Sequence, residues 1–231
     1  VMNKIIFLIK SKSPFTIILY FLMQKISNIF SKRKIIKYKK NHQIFLKDKK
    51  ITNDFFSSNT YNFYYFYSKI NSNFRYLEIG SYEGNSALFI ANSFKFSKIY
   101  CVDNWVGTQE YTNHNFQNIE NNFDYNVKNY NNINKIKDRS DNFFFKNNFF
   151  FDIIYIDGYH LGSQVYKDCI NSWKFLKKDG LLICDDYIWN GYEDIKENPC
   201  FAINKFLTEI KDNYKLLKVS NSQIFIKKIK P

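Results

Sequence analysis

Acidic side chains stand at the carboxyl ends of the apolar runs in this sequence. Glu78 lies in Tyr76–Ile79, Asp103 follows Lys98–Val102, Asp157 follows Phe151–Ile156, and Asp185 and Asp186 follow Leu181–Cys184. Short continuous apolar runs of this kind read as buried strands of a parallel sheet. In open α/β sheets, ligands bind beyond the carboxyl ends of the strands. Neighbouring strands lie about 4.8 Å apart, so acids at adjacent tips can converge on one cation. Asp157, Asp185 and Asp186 offer three carboxylates and no soft ligand, which suits a hard ion such as Mg²⁺ or Mn²⁺. His160 stands three residues after Asp157. Its imidazole has a pKa suited to taking a proton from a hydroxyl near neutral pH, although a histidine in a loop also serves structural ends.

A second feature surrounds Glu78: Leu77-Glu78-Ile79-Gly80-Ser81-Tyr82-Glu83-Gly84-Asn85-Ser86-Ala87. Gly80 and Gly84 allow a tight strand-to-helix turn whose backbone can approach a ligand closely. The loop is neither the GxGxxG of dinucleotide binding nor the GxxxxGK[ST] of a P-loop. A nicotinamide oxidoreductase is therefore disfavoured.

The elements that would position these groups alternate along the chain. Helical spacing is read over Tyr61–Ile70, Asn85–Ser93, Asn113–Tyr130, Gln164–Leu176 and from Pro199 to Ile210. Strands are read at Tyr76–Ile79, Lys98–Val102, Ile133–Lys137, Phe151–Ile156, Leu181–Cys184, Leu216–Val219 and Gln223–Ile229, with Gly180 ending the helix before the fifth strand. Such alternation predicts an α/β, doubly wound, Rossmann-like seven-stranded sheet. The last two strands, joined by Ser220-Asn221-Ser222, are too close for a crossover and must form an antiparallel hairpin.

The chain has 231 residues, 45% hydrophobic and 24% charged, which fits a globular protein. Its 20% aromatic content comes with an abundance of Lys, Asn and Ile, residues that share A/T-rich codons, so it is a weak sign of base stacking. Cys101, Cys169, Cys184 and Cys200 form no CxxC pair, which disfavours a disulfide scaffold or structural zinc and agrees with a reducing compartment. Net charge is +13, but residues 1–50 hold 13 Lys/Arg against Asp48 alone, leaving the body near neutral at +1. The organisation expected is a basic, partly apolar helical extension over residues 1–50 and a domain over 51–231. The uncharged run Ser13–Gln24 is too short to span a bilayer. Residues 1–40 fit peripheral contact with an anionic membrane surface, or a helical extension that is solvated or docked on its own domain. His42, in this arm, is expected to be solvated.

The spacing E-x-G-x-x-x-G resembles the cofactor loop of class I S-adenosylmethionine-dependent methyltransferases. The likeness extends over most of residues 60–231, which resemble the metal-dependent small-molecule and sugar O-methyltransferases of the family 24 kind. It rests on blocks in the right order: Leu77–Ala87, Asp138-Arg139-Ser140-Asp141, Phe151–His160 and Leu176–Tyr187. The resemblance implies that S-adenosylmethionine lies along Glu78, Gly80, Ser81, Tyr82, Gly84 and Ser86. Tyr82 and Ser86 would hold the methionine part, Asp103 the ribose hydroxyls, and Ser140 would lie near the adenine. Relatives carry a glycine in that third loop, which is replaced here. The metal-dependent members place acids where Asp157, Asp185 and Asp186 stand, whereas in metal-free relatives such acids cap a loop or contact cofactor and backbone. His160 stands where catechol-type enzymes carry a lysine base.

The function implied is methylation of a hydroxyl on a small molecule or sugar, with Asp157 and His160 as the catalytic pair and Mg²⁺ or Mn²⁺ assisting. Trp105, Tyr111, Trp189 and Tyr192 are candidate acceptor walls, and His114 falls in a covering segment. A non-catalytic cofactor-binding module on the same fold is the alternative. A nucleic-acid methyltransferase using the basic arm is a further one, disfavoured by the neutral body and the absence of a Pro-Pro-Tyr type motif. The expected location is the cytoplasm, with contact of the arm on a membrane surface as one of its two open readings.

Overall fold

A computed structural model describes residues 2–70, 73–107, 115–220 and 222–231, and for Lys25 the backbone only. Seven strands form a mixed sheet of order β3-β2-β1-β4-β5-β7-β6. The chain divides into two compact units, Ile29–Arg139 and Val1–Asn28 with Ser140–Pro231.

Within Ile29–Arg139, β1 (Arg75–Ile79), β2 (Lys98–Asp103) and β3 (Ile133–Lys137) pair in parallel, with Ile79 opposite Val102 and Val102 opposite Ile136. Tyr76, Leu77, Glu78 and Ile79 are all buried, as a strand covered on both faces requires. Helix α4 (Asn85–Ser93) follows β1 and buries Ala87, Leu88, Ile90 and Ala91. Helix α5 (Phe116–Val127) begins at Asn115, whose side chain accepts the Asn118 N–H at 3.1 Å. The short helix α3 (Thr60–Tyr67) buries Phe63 and Tyr67.

In the other unit, β4 (Phe151–Ile156) pairs in parallel with β5 (Leu176–Cys184), and the register Ile156 opposite Cys184 brings the strand ends level. The expected hairpin is present: β6 (Tyr214–Val219) and β7 (Ile224–Lys228) are antiparallel, and β7 also pairs antiparallel with β5. Helix α7 (Gly162–Phe175) packs on α8 (Pro199–Glu209), with the Trp173 and Phe206 rings 5.7 Å apart. Strand β5 starts five residues before the expected Leu181. Leu176 already pairs with Phe151, and the chain then bulges before Leu181 meets Ile153. Asp179 takes φ +66° in that bulge, and its carboxylate meets Lys227 Nζ at 2.7 Å. Helix α6 (Ser140–Lys146) was not expected; its Phe143 and Phe144 are buried.

The N-terminal extension is helical, as α1 (Met2–Lys10) and α2 (Phe15–Phe45). It is docked rather than solvated. Leu8, Ile17 and Phe21 are buried, and Asn204 Nδ2 donates to Ser11 O and Ser13 Oγ, both at 2.9 Å. Among the described residues no helix is long and apolar enough to cross a membrane. All four cysteines are free and buried.

Candidate functional site

The glycine loop is held by Asp103. Its Oδ2 accepts the Ser81 and Tyr82 backbone N–H groups at 2.9 and 3.0 Å, and its Oδ1 accepts that of Trp105 at 2.8 Å. Burial raises the Asp103 pKa, and these backbone donors oppose the shift. Gly80 takes φ +86° and donates to Val102 O at 2.9 Å, so the turn leaves β1 in a conformation open to glycine. Gly84, at φ +81°, is the N-cap of α4.

Glu78 is fully buried in β1, and its Oε2 accepts Ser86 Oγ at 2.5 Å and Tyr76 Oη at 2.9 Å. Desolvation pushes its pKa up to about 7 against the pull of the Ser86, Ser81 and Tyr76 hydroxyls. The Ser86 hydroxyl is thus spent on Glu78. Tyr82 has φ +48°, and Trp105 Nε1 donates to its carbonyl at 2.8 Å.

In the unit that carries β4 and β5, ligand atoms of Asp157, His160 and Asp186 all lie within 4.8 Å of one another. His160 Nε2 meets Asp186 Oδ2 at 2.9 Å, and the Trp189 ring lies 4.8 Å from the imidazole. Asp185, the third acid expected there, is outside that group. Its Oδ1 accepts the Asp186 N–H at 2.8 Å, while its Oδ2 accepts Gln223 Nε2 at 2.7 Å and the Tyr155 hydroxyl. The same hydroxyl meets Asp157 Oδ2 at 2.8 Å. One hydroxyl proton cannot serve two ionised carboxylates.

Burial, and then the neighbouring Asp185 and Asp186 charges, raise the Asp157 pKa well above the carboxylate range. Burial and Asp186 raise that of Asp185 to about 6. A divalent cation would reverse both effects. The two carboxylates offer oxygens of the kind Mg²⁺ and Mn²⁺ take, whereas the imidazole beside them is not a ligand that Mg²⁺ favours.

Ser140 opens α6, and its Oγ accepts Gln164 Nε2 at 3.1 Å, beside Asp168. Trp105, expected as an acceptor wall, is buried with its ring 4.9 Å from Phe123 and serves the interior. Trp189 and Tyr192 do form an aromatic pair, 5.2 Å apart. Tyr111, His114 and Asn221 lie outside the described residues.

Sequence reasoning missed Glu83. It is buried, and its carboxylate accepts Thr52 N at 2.7 Å and both Thr52 Oγ1 and Asn122 Nδ2 at 2.8 Å. Asn126 Nδ2 donates to its carbonyl at 2.9 Å. His42 corrects an expectation: it is buried, not solvated, with Nε2 2.7 Å from Asn85 Oδ1. A charge run gives no sign of which of its members faces inward; the only hint was a histidine among lysines.

A family model described as a methyltransferase domain matches residues 77–187. A comparison with curated proteins yields no match. Among solved structures, the cofactor-bound protein Rv0187 from MTB is 8% identical, with a TM-score of 0.60 over 87% of this chain and 90% of its own. The O-methyltransferase TomG from Streptomyces achromogenes, involved in tomaymycin synthesis and solved with SAM, is 10% identical, with a TM-score of 0.58 over 89% and 96%. MycE, from the mycinamycin biosynthetic pathway and solved with Mg, SAH and mycinamycin VI, is 16% identical, with a TM-score of 0.55 over 77% of this chain and 51% of its own. Over residues 77–187 the chain is thus similar to a methyltransferase domain, and its fold is the one these solved structures share.

Proposed function

We propose that the protein methylates a hydroxyl of a small molecule or sugar with divalent-metal assistance. The observation that carries this reading is the convergence of Asp157, His160 and Asp186 within 4.8 Å. When bound, S-adenosylmethionine supplies a methyl group that an acceptor oxygen displaces from its sulfonium, and the cation lowers the pKa of that acceptor hydroxyl. Along the cofactor, Asp103 keeps lone pairs for the ribose hydroxyls while its backbone bonds fix the glycine loop. Tyr82 and Gly80 line that loop, and Glu78 sets the position of Ser86.

Asp157 and Asp186 would hold the cation. Asp185 braces them through the Asp186 N–H and the Tyr155 hydroxyl. His160 takes the acceptor proton, and Asp186 at 2.9 Å stabilises the imidazolium. The aromatic faces of Trp189 and Tyr192, beside His160, suit a planar ring or a sugar face. TomG and MycE, which share the fold, are biosynthetic methyltransferases, and the Mg in MycE supports the metal.

The test is methyl transfer to a panel of phenols and sugars in Mg²⁺, Mn²⁺ or chelator. Turnover that chelator removes and either metal restores is expected. Full turnover in chelator would overturn the metal, and no transfer to any hydroxyl despite cofactor binding would overturn the acceptor class.

A further inference from the structure

Helix α2 carries an apolar stripe that faces solvent. Phe15, Leu19, Leu22, Ile26 and Ile29 follow at alternating spacings of four and three residues, which on a helix is one face. All five are exposed, Phe15 at 77%, Ile26 at 61% and Ile29 at 72%, and Phe30 beside them at 84%. The residues that fasten this part of the helix, Ile17, Phe21 and Gln24, are buried and lie on its other side. Helix α1 repeats the arrangement, with Met2, Ile6 and Ile9 exposed along one face and Leu8 buried. Further along α2 the same stripe turns basic: Arg33, Lys37 and Lys40 continue it, flanked by Lys32 and Lys34, and all five are exposed. No acid occurs before Asp48.

We infer that this face binds an anionic lipid bilayer surface, with α1 and the first half of α2 lying in the plane of the interface. Monomeric proteins rarely leave a continuous apolar face in water, and an in-plane helix buries such a face among lipid chains while its cations meet the headgroups. No described helix is long and apolar enough to cross the membrane, so the in-plane arrangement is the one open to it. A second copy of the chain would cover the stripe but set one +12 segment against another. A nucleic acid would use the cations and leave the stripe bare.

The experiment is co-sedimentation of the full chain with vesicles of phosphatidylcholine, alone or with about one quarter phosphatidylserine. Partitioning at least about tenfold stronger to the anionic vesicles is expected, reduced by high salt. Leu22→Glu with Ile26→Glu, and separately Arg33→Glu with Lys37→Glu, should each abolish it. Both pairs are exposed, so melting temperature should not change, which separates lost binding from lost folding. Failure to bind anionic vesicles would overturn the inference. So would sedimentation velocity showing a dimer that the Leu22→Glu, Ile26→Glu pair dissolves, or RNA binding stronger than vesicle binding and indifferent to that pair.

Discussion

His42 Nε2 lies 2.7 Å from Asn85 Oδ1, so the basic N-terminal helix grips the first residue of the helix that the glycine loop launches. The amide oxygen accepts, which puts the proton on Nε2. Asn85 Nδ2 passes the contact on to Asp54 Oδ1 at 3.1 Å, and Asp54 Oδ2 takes Gln43 Nε2 at 3.0 Å. The imidazole also stands edge-on to Phe89, 5.3 Å away. A segment whose sequence reads as a charged appendage is therefore a brace for the candidate cofactor loop.

Replacing His42 by Ala should cost about 2 kcal/mol, from one lost hydrogen bond and the ring contacts. S-adenosylmethionine affinity should fall with it by about tenfold, since the loop it steadies would loosen. Thermal melts and calorimetric titration read the two effects. An affinity left intact in a destabilised variant would confine His42 to the scaffold.

Burial lowers the His42 pKa from 6.5, with the Asn85 bond opposing. The unfolded chain then binds a proton that the folded chain resists, so His42 makes stability fall as pH drops below about 6.5. Urea melts across that range should show the loss, and His42→Gln should lack it.

Glu78 and Asp168 act in the opposite direction. Burial raises both to about 7, from 4.5 and 3.8. The folded state holds the extra protons, so stability declines as pH rises from each ordinary value to about 7, by on the order of 3 kcal/mol per group. Glu78→Gln should remove its share and raise stability at pH values above 7. A variant with an unchanged pH profile would contradict the assignment.

The acidic cluster predicts a hierarchy. Asp157→Ala and Asp186→Ala should each remove metal-dependent turnover, by about a hundredfold or more. Asp185→Asn should cost less, because Gln223, Tyr155 and the Asp186 N–H already occupy its carboxylate. For His160→Gln, a proton carrier predicts reduced kcat with unchanged Mn²⁺ affinity, whereas a ligand predicts weakened Mn²⁺ binding. Titration calorimetry with Mn²⁺ separates the two.

Gly84→Ala should destabilise by about 1–3 kcal/mol, because the left-handed backbone costs about 1–2 kcal/mol for a residue with a Cβ. The added carbon would also meet the Phe123 ring at 3.1 Å. Denaturant melts test it; a neutral substitution would mean that the α4 start can rearrange.

Much of this was legible in the residues. Strand β4 and helix α4 fall where apolar runs and spacing put them, because each is buried enough for its pattern to be unbroken, whereas β3 matches its expected range although none of its residues is buried. Strand β5 began early because Leu176 pairs across a polar bulge, Lys177–Gly180, that looks like a loop. The acids at the strand ends were visible, but their partners were not. Tyr155 is one of several buried tyrosines, and nothing in its neighbours marks its hydroxyl as the contact between Asp157 and Asp185. Glu83 and His42 were hidden for the same reason: their partners, Thr52, Asn122 and Asn85, are distant in sequence.

The proposed placement of S-adenosylmethionine on the Glu78–Ser86 loop is tested by calorimetric titration of the cofactor into wild-type protein and Asp103→Asn. Binding by the wild type should be one-to-one, and weakened about tenfold or more when the charge that orders the loop is removed. No heat with wild type, under conditions where the protein is folded, would contradict it.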